Sequence, residues 1–314
     1  MKREIKVSVI IPIYNGETDL PDLIECLRSQ TYPREQVEYI LVNNNSSDKT
    51  EKIIETAATE ALTQGLTIQS LSENNIQSAY AARNTGIRFS QGDIVAFTDA
   101  DCRPQPDWLE QLVQPFVNSK IAVVVGELVA LPGKTVLEKY AEVTHLMSQS
   151  FLINHPFCSY GQTANLAIRK QAFEEVGLFR PHLTTGGDAD MCWRILRDKN
   201  WQLEYVSKAI VRHRHRDNWR DFKSQWQRYG RSNRYLHELY GVDLMRELTI
   251  QESFYRLSRW LLKELPRDSI KVIFGKASPV ALMKTPINLI GFQSRTIGQK
   301  EAKLPEEAKK IEWL

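Results

Sequence analysis

Ile94-Val95-Ala96-Phe97-Thr98 is a short apolar run, and Asp99-Ala100-Asp101 follows it without a break. A buried strand that ends in two carboxylates one residue apart can offer both to one hard cation. Strand side chains alternate with period two, so Asp99 and Asp101 are expected on the same side. Oxygen ligands of this kind suit Mg²⁺ or Mn²⁺, metals that hold substrate phosphates. Taken alone, Asp-x-Asp at a strand end also reads as a turn or a helix cap.

Three further segments give the pair a context. Val7-Ser8-Val9-Ile10-Ile11-Pro12-Ile13-Tyr14-Asn15-Gly16 is a mostly apolar strand running into a breaker-rich loop. Leu41-Val42-Asn43-Asn44-Asn45-Ser46-Ser47-Asp48 is another apolar strand end, with Ser47 or Asp48 placed to cap a helix. Ala82-Arg83-Asn84-Thr85-Gly86 lies on the helix expected just before the Asp99 strand. In an open parallel sheet, ligands collect beyond the carboxyl ends of the strands. These strand ends therefore point to one crevice.

In this order the segments resemble the family-2 glycosyltransferases of GT-A fold. The resemblance is carried by Pro12-Ile13-Tyr14-Asn15, the Asn43–Asp48 loop, Ala82-Arg83-Asn84-Thr85-Gly86 and Phe97–Asp101. It continues through Gly161 with Asn165 and Gly187-Asp188-Ala189-Asp190-Met191-Cys192-Trp193-Arg194, and spans roughly residues 5 to 235. It implies an α/β nucleotide-diphospho-sugar transferase fold, a mostly parallel sheet flanked by helices. It also implies an inverting transfer from a nucleotide-sugar donor, a UDP-sugar expected, to a saccharide or lipid-linked acceptor, with Mg²⁺ or Mn²⁺ as cofactor. Asp188 becomes the catalytic base. Asp101 becomes the direct metal ligand, and Asp99 touches ribose or metal. His213 joins as a third metal ligand, His215 being the other histidine at the alternate position. Pro12, Tyr14, Asn43, Arg83, Gly161 and Asn165 line the donor site, Asn43 through its amide and Arg83 through the paired bonds a guanidinium makes with phosphate. Asp190 is counted with them and is also spaced to pair with Arg194. Two positions depart from the family: Asn43 stands where an Asp is usual, and Gly187 where a Glu is usual.

Composition sets the frame. The chain has 314 residues, 42% hydrophobic and 25% charged, ordinary for a globular protein. Four widely spaced cysteines form no CxxC pair and read as reduced thiols of a cytoplasmic protein. The short N-terminal apolar run stops at Pro12 and does not read as a leader. Between Lys208 and Lys284 there are 17 Lys and Arg against 8 Asp and Glu, a balance of +9 in a chain of net +3. Aromatic residues are interleaved with the charge. No nucleic-acid motif accompanies it, so a phosphate-bearing substrate or an anionic membrane surface is the expected partner, the latter on the inner face of the cell membrane.

Residues 5 to 130 alternate strand and helix, as in a sheet with right-handed crossovers. Leu203–Val206 and Ile210–His213 read as two further strands. A GT-A domain is expected over 1–218, and a helical, basic and aromatic extension over 219–314. In that extension Trp219, Phe222, Trp226 and Tyr229 share a helix face, as do Phe254, Leu257, Leu261 and Leu265. Lys300–Leu314, highly charged, is expected to fray. A dehydrogenase is disfavoured, since no GxGxxG follows a strand. A nucleotidyltransferase would need a basic glycine-rich loop after the first strand. The remaining alternative is a non-catalytic sugar-nucleotide or lipid-head-group binding protein.

Overall fold

The computed structural model describes residues 5–198 and 200–314. The chain forms two compact units. One holds Met1–Val129, Met147–His213 and Pro305–Leu314, the other Ala130–Leu146 and Arg214–Leu304.

The first unit is built on one sheet. Its strands are β1 (Val7–Ile13), β2 (Val37–Asn43), β3 (Thr67–Ser72), β4 (Ile94–Phe97), β5 (Cys102–Pro104), β6 (Ile121–Ala130), β7 (Leu166–Arg169) and β8 (Gln202–His213). They lie in the order β3-β2-β1-β4-β7-β6-β8-β5. The expected parallel α/β part is β3-β2-β1-β4. Beyond it the β4–β7, β7–β6 and β8–β5 pairs are antiparallel, so the whole sheet is mixed. Every residue of β1 is buried, which is why it reads as an apolar run interrupted only by Ser8. Pro12 lies past the last β1–β4 pair, Ile10 with Phe97, where a missing N–H costs the ladder little.

Two strand expectations change. β8 is one continuous strand from 202 to 213, not two. β5 is new: three residues pair antiparallel with the end of β8, Cys102 opposite His213. A three-residue strand is too short to leave a periodic signal.

The second unit is helical. Phe222, Leu137, Tyr140, Val280 and Ile287 form its core, with Trp226 and Ile290 packed against it. The middle of the aromatic stripe, Phe222 and Trp226, is thus part of a core, while Trp219 at its start is exposed. The helices Trp219–Tyr240 and Lys284–Glu301 cross at glycine. A Cβ on Gly230 would lie 2.0 Å from the Arg295 carbonyl oxygen, and one on Gly298 2.1 Å from that of Gln227. Only hydrogen fits there. No helix among the described residues is long and apolar enough to cross a membrane.

Residues 305–314 do not fray; they fold onto the first unit. Ala308 is fully buried, and the Glu312 carboxylate accepts from Asn84 at 3.0 Å and Arg88 at 2.6 Å. Charge composition misled here because the partners lie more than 200 residues upstream.

Candidate active site

Parallel pairing aligns the ends of β2, β1 and β4, and their loops interlock. Asn15 and Asn45 both take positive φ, 50° and 60°, a conformation Asn tolerates. Asn15 Oδ1 accepts from the Ser47 N–H at 2.8 Å, and Ser46 Oγ accepts from the Asn15 N–H at 2.9 Å. Asn43 Oδ1 accepts from the Ser46 N–H at 3.1 Å, so the residue expected to read the base also closes its own loop. Tyr14, on the β1 loop, stands 59% exposed.

At the end of β4 the two aspartates part company. The chain leaves the sheet after Phe97 and turns at Ala100-Asp101, with the Cys102 N–H donating to the Asp99 carbonyl at 3.1 Å. Strand alternation therefore does not apply to the pair. Asp99 Oδ1 accepts from Arg83 Nη2 at 2.6 Å. Asp101 Oδ1 lies 3.4 Å from His213 Nε2. The β5–β8 pairing is what brings His213 to that place. His215 belongs to the second unit.

A carboxylate and an imidazole suit Mn²⁺, and Mg²⁺ through the oxygen. Asp101, Cys102 and His213 have their ligand atoms within 4.8 Å of one another. Burial first, then the charges of Asp101 and Asp99, push the Cys102 thiol well above its usual range, so it stays protonated and is a poor ligand. Asp101 and His213 thus fit a divalent ion. Asp99 is engaged by Arg83 instead.

Arg83 sits on the helix Ala79–Phe89, which Ser78 caps by accepting from the Tyr80 N–H. Its guanidinium is buried, 5.5 Å from the centre of the Tyr80 ring. Burial alone would lower its pKa; the carboxylates of Asp99 and Asp188 outweigh that. Its Nε makes no hydrogen bond among the described residues.

Asp188 lies in the first turn of the helix Gly187–Asp198. Thr163 Oγ1 donates to its Oδ1 at 3.0 Å. Burial raises its pKa above the usual aspartate value; Arg83 pulls it back, and Asp99 pushes it up again. Gly187 has a local reason. Its N–H donates to the Tyr80 hydroxyl at 3.0 Å, and a Cβ there would come within 2.7–2.9 Å of the Tyr80 ring.

Three expected donor residues serve the scaffold. Asp190 is fully buried, its carboxylate held by Arg180 at 2.9 Å and Arg194 at 3.1 Å, so it fixes the helix and has no face toward a ligand. Asn165 is fully buried too; its amide donates to the Glu127 and Ala209 carbonyls, and its oxygen accepts from Trp108 Nε1 at 2.8 Å. Gly161 is packed against Val125: a Cβ there would lie 2.6 Å from a Val125 methyl, so no side chain fits. Two residues not foreseen belong to the site. Tyr80 is spaced i, i+3 from Arg83, a helical pattern that could have found it. Thr163, 25 residues from Asp188, leaves no such signal.

Strand ends, a buried guanidinium paired with Asp99 and a carboxylate of raised pKa are carried here by a mixed α/β sheet of GT-A glycosyltransferase type. The sequence model of Glycosyl transferase family 2 matches residues 8–177, and that of Glycosyl transferase family group 2 matches 94–287. The chain belongs to glycosyltransferase family 2. Glycosyltransferase AglE of Haloferax volcanii is 34% identical over 209 residues, 66% of either chain. The chain spans 46–66% of the length of the first curated relatives it matches. Among solved structures, the mannosyltransferase PcManGT from Pyrobaculum calidifontis, with GDP-Man and Mn²⁺, superposes with a TM-score of 0.63 at 15% identity, over 95% of this chain and 87% of that one. S. aureus TarS 1–349, with UDP, gives 0.52 at 14% identity over 95% and 92%. At such identities these likenesses speak for the fold.

Proposed function

We propose that this chain is an inverting glycosyltransferase that moves a sugar from a nucleoside-diphosphate donor to an acceptor hydroxyl. The observation that carries the reading is the juxtaposition of Arg83, Asp99 and Asp188, with Asp101, in the turn after β4, facing His213 at the end of β8. Asp188 takes the proton of the acceptor hydroxyl as that oxygen attacks the anomeric carbon from the face opposite the diphosphate. Its raised pKa makes it a better base than an ordinary aspartate at neutral pH. Thr163 holds the carboxylate in place. Arg83, with a buried Nε still to satisfy, meets the donor phosphates and Asp99 the ribose. Asp101 and His213 would hold Mn²⁺ or Mg²⁺, which supplies positive charge to the leaving nucleoside diphosphate.

The donor is a UDP-sugar in this reading, with Tyr14 and Asn43 at the base; TarS with UDP lends support, and PcManGT with GDP-Man marks the competing nucleotide. The acceptor is a saccharide or lipid-linked hydroxyl, met at a membrane surface. A panel of UDP- and GDP-sugars, each with and without Mn²⁺, tests the reading by thermal shift and nucleotide release. A ligand that binds the native state raises Tm as its concentration exceeds Kd. Proton NMR of the product anomer tests inversion. A product that keeps the donor's configuration rejects the single displacement.

A further inference from the structure

The apolar face expected between residues 250 and 265 exists, and it is turned to solvent. The segment runs as the helix Ile250–Arg259, one wider π-helical turn Trp260–Glu264, and the helix Leu265–Ile273. Thr249 and Glu252 close a capping box at its start. Trp260 Nε1 donates to the Leu282 carbonyl at 2.8 Å, which ties the segment to the rest of the helical unit. This is a formed surface, yet neither helix buries an apolar side chain fully. Ile250 is 89% exposed, Phe254 71%, Ile273 78% and Phe274 72%, with Leu257 and Leu261 also open. Contiguous apolar exposure of this kind marks an interaction surface.

Charge identifies the partner. Residues 250–276 carry six Lys and Arg against three Asp and Glu. The three acids are engaged locally. Glu252 accepts from the Thr249 cap and from Arg246, Glu264 from Arg259 at 3.1 Å and Thr285 at 2.6 Å, and Asp268 from Arg267 at 2.8 Å. Lys263, Lys271 and Lys276 are exposed among the apolar residues. A second copy of the same face would bring like charges together. An anionic bilayer offers both an apolar layer and negative headgroups.

We propose that residues 250–276 dock in the plane of an anionic phospholipid surface, with Ile250, Phe254, Leu257, Leu261, Ile273 and Phe274 inserted and the lysines at headgroup level. This specifies the surface for the membrane association raised above, and it does not depend on the transferase reaction. Vesicle binding reports on the one, donor binding on the other.

Sedimentation of the full chain with vesicles at low ionic strength tests it. The chain is expected to pellet with phosphatidylcholine containing about a third phosphatidylglycerol, and not with phosphatidylcholine alone. Phe254→Ser with Phe274→Ser should cut binding about 10-fold or more. Lys263→Gln with Lys271→Gln and Lys276→Gln, which keeps the apolar residues, should weaken it by a similar factor and flatten its salt dependence. Both sets lie on exposed positions, so Tm and nucleotide-sugar binding should match the parent chain. Absence of binding to anionic vesicles overturns the proposal, as does binding that neither variant weakens. A dimer in solution that Phe254→Ser with Phe274→Ser dissociates would assign the face to a second copy instead.

Discussion

Arg83 Nη2 and Asp99 Oδ1 meet at 2.6 Å, a buried guanidinium against a carboxylate that is about a third exposed. Arg83 also lowers the pKa of Asp188, which burial has raised. In the proposed reading one side chain therefore meets donor phosphate and tunes the base. Arg83→Gln should weaken donor binding by about 10- to 100-fold, the scale of a lost charge-assisted hydrogen bond. It should also move the acid limb of kcat/KM to higher pH, because the influence that held Asp188 down is gone. Calorimetry and a pH–rate profile read the two effects. Unchanged affinity with an unchanged limb would reduce Arg83 to a structural pair.

Asp188→Asn keeps the shape and the hydrogen bond from Thr163 but cannot take a proton. kcat should fall by about 10² to 10⁴ while donor affinity holds. Stability should respond in the opposite sense. The folded pKa of Asp188 lies above the unfolded one, so ionising it costs stability. That cost is fully present above the folded pKa and fades as pH falls toward the unfolded value. At neutral pH the Asn variant should therefore melt no lower than the parent. A lower melting temperature with kcat intact would overturn the assignment.

Asp101→Ala and His213→Gln address the metal. Each should lower transfer about 10²-fold or more and raise the Mn²⁺ concentration needed for half-maximal rate, since each removes one of two ligands. Excess chelator should abolish turnover in the parent chain, and added Mn²⁺ should restore it. Parent-level turnover in chelator would exclude a metal requirement. Asp190→Asn gives a contrast. Its carboxylate is held by the buried Arg194 and the partly buried Arg180, and leaving them uncompensated should cost about 3–5 kcal/mol of stability whatever the donor.

How far the sequence could be read follows from where each residue's partners lie. β1, β2 and β4 were legible because each is an apolar run that ends in polar, breaker-rich residues, and their parallel order places Asn43, Asn15 and Asp99 at one edge. Asp188 enters through the motif resemblance, and the structure adds that Thr163 donates to it and Arg83 acts on its pKa. The Asp101–His213 pair was not derivable from spacing, because it depends on β5, three residues long, finding β8 more than 100 residues later. The partners of Asn165 are hidden from the sequence for a similar reason. Its motif position resembles a donor loop, whereas Trp108, Glu127 and Ala209 saturate its amide. Gly187 departed from the family pattern for a reason held in Tyr80, on another helix.

Residues 305–314 carry the last prediction. They bring Ala308 into a fully buried position and set Ile311 against Gly177, whose φ of +78° leaves that side of the backbone bare. The Glu312 carbonyl accepts from the Leu178 N–H at 2.7 Å, the Lys309 carbonyl accepts from Arg180, and the Glu312 carboxylate reaches Asn84 and Arg88. Asn84 in turn holds Phe179 by both its amide N–H and its oxygen, one residue from Arg83. The segment thus braces the helix that carries Arg83 and the stretch leading to Asp188. Ending the chain after Leu304 should cost about 1–3 kcal/mol and lower Tm by roughly 2–10 °C, with a rise in donor Kd. Glu312→Gln, which keeps an acceptor for Asn84 and loses only a half-exposed ion pair with Arg88, should cost about 0.5 kcal/mol. Differential scanning calorimetry and donor titration compare the two. A shortened chain with the parent's Tm and donor affinity would show that the segment rests on the unit without supporting it.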